Sequence, residues 1–176
     1  MAEIESTPDG DVPRGKGWYV LNARRARWQH MPGFGGSDLS FQGDERFEEL
    51  GIHLGVLQPG EPASMYHVED HQEGFLVLGG QCLAIVDGEE VLLEQWDYFH
   101  CPPGTPHVLV GAGDRPCLVV AVGGRLGGDD GASYLPDPVA RRHGAAVDVE
   151  TCDPKVAYAD TPKPEDGPAP DFESLI

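Results

Sequence analysis

The chain has 176 residues, a length that suits one core plus tails, and its 30 acidic side chains against 12 basic ones give a formal charge of −18. A surface of that sign repels the phosphate backbone of nucleic acids and anionic lipid alike, so neither is expected as a partner. The 24 glycines and 16 prolines lie scattered between short apolar runs, which points to many turns joining many short strands.

Residues 1–15 are polar, acidic and broken by Pro and Gly, and are expected to form a mobile arm. No basic stretch followed by an apolar one stands near the start, and no run is long enough to span a bilayer, so a cytoplasmic protein is expected. Trp18 to Leu21 reads as an edge strand, and the basic patch at Arg24, Arg25 and Arg27 as a partner for the acidic surface. In LGIHLGVLQPG, Ile52, Leu54 and Val56 alternate with His53 and Gly55 at the period of a half-buried strand, which the PG then ends. GFLVLGG follows, then QCLAIVDGEEVLL, where Asp87-Gly88 is a hairpin signal because a two-residue turn of this kind needs positive φ.

WDYFHCPPGTPHVLVGAG and RPCLVVAVGG continue the rhythm of strand and turn. Residues 50–123 thus hold roughly seven strand-like runs with no amphipathic helix between them, the pattern of an all-β, antiparallel sandwich or barrel. After Gly124 the chain is loop-like. PVARRHGAA reads as a short helix opened by proline and DPKVAYAD as a second. The Pro-rich acidic tail is expected to be disordered or draped over the domain, with Phe172, Leu175 and Ile176 loose or docked on a partner subunit. The implied division is an arm at 1–15, a β domain at 16–124 and an extension at 125–176. Cys82, Cys101, Cys117 and Cys152 form no CxxC pair and read as buried hydrophobes or inert thiols.

Two stretches carry the chemistry: PGEPASMYHVEDHQEGFLVLGG and WDYFHCPPGTPHVLVGAG. Together they resemble the two motifs of the cupin superfamily. The first motif runs glycine, a short gap, H-x-H, three or four residues, glutamate, six residues, glycine. Gly60 opens it, and Glu73 followed by Gly80 closes it at the right spacing. The three-residue gap puts the first histidine on His67 and the second on Glu69, a departure from the pattern; the four-residue gap would use Tyr66 and Val68, neither of which replaces an imidazole. The second motif is met by Pro102, Gly104 and His107, with Trp96 where a glycine usually opens it and Gly111 where an asparagine usually closes it.

The resemblance covers roughly residues 50 to 123, the motifs lie within 60–111, and it implies a jelly-roll barrel with a short helical or irregular C-terminal extension. The residues make sense on their own terms. His67 and Glu69, two apart, share one face if they lie on a strand; Glu73 returns after a polar turn, and His107 follows the PPGTP turn. Imidazoles with carboxylates make a site for a borderline or hard divalent transition metal, such as Zn, Fe, Mn or Ni. The metal ligands expected are therefore His67, Glu69, Glu73 and His107, with Glu69 the catalytic general base if it stays off the metal. His71 reads as a solvated turn or orienting group, and His53 and His100 as structural strand histidines. Met65, Tyr66, Phe75, Trp96 and Phe99 are candidates for an apolar pocket wall.

The resemblance implies a metal-dependent enzyme of isomerase, dioxygenase or lyase type acting on a small oxygenated metabolite. Its alternative is a non-catalytic cupin that binds or senses a sugar or carboxylate. Cupins of the sugar-phosphate isomerase kind mix imidazole and oxygen ligands, so Glu69 in a histidine position is compatible with catalysis. A homodimer is expected as well, joined through sheet edges with the Trp18–Leu21 segment exchanging.

Overall fold

The computed structural model describes residues 1–125 and 131–175. Its strands, in chain order, are β1 (Glu3–Thr7), β2 (Gly10–Arg14), β3 (Trp28–Met31), β4 (Gly36–Ser40), β5 (Leu50–Leu57), β6 (His67–Val68) and β7 (Glu73–Gly79). After these come β8 (Gln81–Val86), β9 (Glu89–Glu94), β10 (Tyr98–Cys101), β11 (His107–Ala112), β12 (Cys117–Gly124), β13 (Ser133–Tyr134) and β14 (Glu165–Gly167). Two short helices, α1 (Pro138–Arg142) and α2 (Pro154–Ala157), open as expected at Asp-Pro pairs, where the Asp137 and Asp153 carboxylates accept backbone N–H bonds. A 3₁₀ turn follows at Phe172–Ser174. The loop expected after Gly124 falls partly on residues 126–130, and those, like Ile176, lie outside the described residues.

The named strands pair antiparallel throughout. One sheet has the order β10-β7-β12-β5-β4-β3-β14, a second β13-β6-β11-β8-β9, and β1 and β2 make a separate hairpin. The period of two sorts the side chains into three cores. Between the sheets lie Leu57, Phe75, Val77, Cys82, Ala84, Leu109, Cys117 and Val119. The outer face of the larger sheet carries Trp28, Leu39, Leu54, Val56 and Leu118, covered by Leu21, Phe172 and Leu175 from flanking segments. On the outer face of the smaller sheet, Tyr66, Ile85, Val108 and Val110 meet Ala140 and Ala145 of the extension.

Strand β5 is therefore not half-buried: Leu54 and Val56 pack outward under the terminal segments while Leu57 points between the sheets. Other expectations change too. The stretch read as a mobile arm carries the β1–β2 hairpin. Trp18 to Leu21 forms no strand, and Trp18 and Val20 are exposed. Leu175, read as a loose end or a subunit contact, is buried within its own chain, and Phe172 packs edge-on against Trp28. The basic patch helps fasten these ends: Arg24 pairs with Glu173, Arg25 with Asp11, and Arg27 with Asp166.

Two glycines are fixed by geometry. Gly80 has φ +69, and a Cβ there would lie 2.2 Å from the Pro116 carbonyl oxygen, so the turn joining β7 to β8 admits no side chain. At Gly111 a Cβ would lie 2.1 Å from the Gln58 carbonyl oxygen. That close approach is secured by the Gly111 N–H donating to the Glu61 carbonyl and by the Gly60 N–H donating to the Gly111 carbonyl.

Candidate metal centre

His67 and His107 are direct cross-strand partners, joined by the β6–β11 register. Glu73 opens β7 in the other sheet, paired with Cys101 on β10 and Gly123 on β12. The two histidines thus come from one sheet and the carboxylate from the facing one. The ligand atoms of His67, Glu73 and His107 all lie within 4.8 Å of one another, and the imidazole centroids are 4.9 Å apart.

The backbone settles which nitrogens face inward. His67 Nδ1 lies 2.7 Å from the Met65 carbonyl and His107 Nδ1 3.0 Å from the Thr105 carbonyl. A carbonyl can only accept, so each Nδ1 carries the proton, and in the neutral rings each Nε2 presents a lone pair. In both cases the carbonyl belongs to the residue two before the histidine, so the local chain orients its own ring, as outer partners do for metal-binding histidines.

Glu73 Oε2 lies 3.1 Å from His107 Nε2, yet it is buried and has no aligned hydrogen-bond partner. Two imidazole lone pairs and an ionised carboxylate facing one another need a proton or a cation among them. The protonation of His107 reflects this. Burial, the largest single influence, pushes its pKa down; the Glu73 carboxylate, the Thr105 carbonyl and the Glu69 charge together outweigh burial and raise it. Two nitrogens and one carboxylate oxygen converging around an orphaned buried oxygen fit a borderline divalent cation.

The other expected site residues fall nearby. Glu69 lies just beyond the end of β6, with Oε1 3.6 Å from His67 Nε2. It is not among the three converging residues, and its backbone carbonyl accepts the Gly104 N–H, tying the two motifs together. His71 sits in the turn beside Gly124 and is likewise outside the triad, while His100 is exposed on β10. Cys101 Sγ is 3.2 Å from His107 Nδ1; burial first, then the charges of Glu73 and Glu69, push its thiol up to about 12, so it is inert.

A cavity of about 310 Å³ ends at the triad and is lined on its apolar side by Leu57, Phe75, Val119 and Ala121. Phe75 forms part of this wall, as the pocket expectation had it, and stacks on Phe99, which like Met65 is not among the lining residues. Tyr66 instead belongs to the outer core of the smaller sheet, and Trp96 is 68% exposed in a turn. Sequence reasoning missed the other polar lining residues, Gln29, Asp38, His53 and Ser64. It also missed Tyr134, which pairs with His67 across β13–β6 with its ring 6.1 Å away, and Tyr158, whose ring is 5.2 Å from that of Tyr134. These residues carry no motif; strand register, and for Tyr158 the placement of α2, brings them together.

Residues 53–123 match the family model of the cupin domain. This segment of the chain is thus a cupin domain. Among solved structures, a cupin-like protein from Thermotoga maritima is 17% identical with a TM-score of 0.52, covering 64% of this chain and 84% of its own. The polyketide cyclase RemF from Streptomyces resistomycificus is 13% identical, also at 0.52, covering 62% and 80%. A cupin 2 domain-containing protein from Halorhodospira halophila is 15% identical at 0.49, covering 62% and 75%. The share of the neighbour's own chain that is matched runs from 50% to 84% among similar structures, so some matches leave half of the neighbour uncovered. At these identities the likeness is one of fold. No curated protein matches the chain. Among the described residues, no helix of this cupin is long and apolar enough to cross a membrane.

Proposed function

We propose that this cupin, its two antiparallel sheets read as a jelly roll, is a divalent-metal-dependent enzyme acting on a small, uncharged, oxygenated molecule. The observation that carries the reading is the buried, unpartnered Glu73 Oε2 among imidazole lone pairs. In this reading His67 and His107 bind through Nε2, each held by its Nδ1 proton on a backbone carbonyl, and Glu73 supplies the balancing negative charge. The ion, one of Zn, Fe, Mn or Ni, supplies Lewis acidity toward an oxygen of the bound molecule. Phe75, Leu57, Val119 and Ala121 exclude water from that oxygen. Glu69 works beside the ion, adding negative potential at His67.

The lining narrows the substrate. It holds the carboxylates of Asp38 and Glu73 and no lysine or arginine among the described residues. A phosphate dianion would enter against those charges with no guanidinium or ammonium to receive it, so a phosphorylated substrate fits poorly. A hydroxy-ketone or an enol fits better, because one metal charge can hold its oxygens. A homodimer is proposed too, supported by the shallow outer groove of Leu50, Leu76, Tyr98 and Val122, whose first and third members are well exposed.

Elemental analysis of protein purified without added metal, then dialysed against each of the four ions, tests the centre. Stoichiometric metal is expected, and failure of every ion to bind sinks the reading. A thermal-shift screen of hydroxy-ketones against the metal-loaded protein then tests the ligand class, since a ligand that binds only the folded state raises its stability.

A further inference from the structure

The cavity that ends at the triad has a second polar end, formed by Gln29 of β3, Asp38 of β4 and His53 of β5. Alternation along β5 turns His53 to the same face as Gly55 and Leu57, which also line the cavity. The β4–β5 register sets Ser40 opposite His53 and Asp38 opposite Gly55, so Asp38 is the diagonal neighbour of His53 on that face. Both Asp38 carboxylate oxygens reach His53 Nδ1, at 3.1 and 2.9 Å. A nitrogen facing two carboxylate oxygens carries the proton, which leaves the Nε2 lone pair as a proton acceptor. Ser40, across from it, holds a buried hydroxyl oxygen with no hydrogen-bond partner. Glu69, the base suggested by motif spacing, is absent from the described lining.

We propose that the His53–Asp38 dyad is the proton acceptor of this cavity, taking the proton that a neutral hydroxy-ketone or enol gives up when its oxygens bind at the triad. The inference rests on the metal-centre reading above. The ligand O–H bond breaks and its electron pair stays on oxygen; an N–H bond forms at His53 Nε2; nothing is oxidised. The imidazolium so formed faces the Asp38 carboxylate. From β12 the residue opposite His53 is the uncharged Ala121. The other titratable groups on the cavity are His67, Glu73 and His107 of the triad.

The test uses the full chain loaded with zinc and the hydroxy-ketone maltol as probe, titrated by calorimetry in two buffers of different protonation heat, which counts the protons released per maltol bound. Chelated maltol loses one proton. Wild type should release close to none because His53 takes it up, whereas His53→Gln should release about one more than wild type. Asp38→Asn, which keeps a hydrogen-bond acceptor but loses the charge, should also release more, and covers the case in which His53→Gln fails to fold. Equal counts in wild type and both dyad variants, or no maltol binding to zinc-loaded wild type, overturn the proposal. Zinc content is measured first: absence of zinc sinks the metal centre itself, whereas bound zinc with equal proton counts sinks only the dyad.

Discussion

The two ends of the cavity are built in different ways. The triad comes wholly from the segment that matches the cupin domain, and its rings are oriented by carbonyls two residues away. The dyad joins His53, at the first matched residue, to Asp38 outside the match, and exists only through the β4–β5 register. One end is thus fixed by local chain geometry and the other by sheet assembly. The largest expected effects separate them. His67→Ala or His107→Ala should lower metal affinity more than the 10–100-fold typical of losing a mere orienting partner, with circular dichroism unchanged because the two sheets rest on apolar strand packing. Asp38→Asn should leave metal content as it is. Unchanged metal in both histidine variants, or loss in Asp38→Asn, would erase the distinction between the two ends.

Next in size is an effect outside both ends. Leu175 is 1% exposed and packs in the outer core with Trp28, Leu39 and Leu118. Leu175→Ala should cost about 2–5 kcal/mol of stability by the usual cavity and transfer terms, measured by urea unfolding. A change within a few tenths would mean that the segments flanking the cupin match merely drape over the sheet and do not help hold β4 and β5, and hence the dyad, in place.

This contrast explains what the sequence could and could not disclose. The convergence of His67, Glu73 and His107 was legible because a short turn and two strand starts set their spacing along the chain, and Gly80 marks the turn where no other residue fits beneath the Pro116 carbonyl. The strand runs from β5 to β12 were legible from alternation and from Gly and Pro turns. His53 looked like a structural histidine, because nothing near it in sequence reveals that Asp38 lies diagonally across a strand pair. Leu175 looked like a loose end, because an acidic, Pro-rich tail gives no sign that its last apolar residues meet Trp28. Tyr134 and Tyr158 were invisible for the same reason: each reaches the site through the pairing of a two-residue strand or the placement of a single helical turn.

A smaller effect concerns pH in the metal-free protein. His107 has its folded-state pKa raised: burial lowers it, but Glu73 and the Thr105 carbonyl outweigh burial. A raised pKa contributes stability that is present below the ordinary histidine value of roughly 6.5 and is lost as pH rises through the folded value. The melting temperature of metal-free protein should therefore fall between pH 6 and pH 8, and Glu73→Gln should flatten that slope. Zinc-loaded protein should behave the opposite way, since metal binding displaces protons from its ligands and strengthens with pH. A metal-free melting temperature that rises over the same interval would contradict the proton bridge at the triad.

The smallest expected effect lies where the chain departs from the cupin pattern. Trp96 stands where a glycine usually opens the second motif, and it has φ +78 while its backbone N–H donates to the Val77 carbonyl at 2.8 Å. A left-handed conformation costs an ordinary residue roughly 1–2 kcal/mol, and the 68% exposed indole recovers little of that by packing. Glycine relieves the steric cost but has more backbone freedom to lose on folding, about 0.5–1 kcal/mol. Trp96→Gly should therefore raise stability by about 0.5–1 kcal/mol and leave metal content and maltol binding untouched. The second departure behaves differently: Gly111→Asn, which would restore the usual closing asparagine, puts a Cβ 2.1 Å from the Gln58 carbonyl oxygen and should destabilise. Urea midpoints of the two variants moving in opposite directions would show that the chain tolerates glycine where the pattern wants it and refuses the asparagine because its β4–β5 side, through the 57–62 loop, has closed onto β11. Midpoints moving together would leave that link between the two ends of the cavity without support.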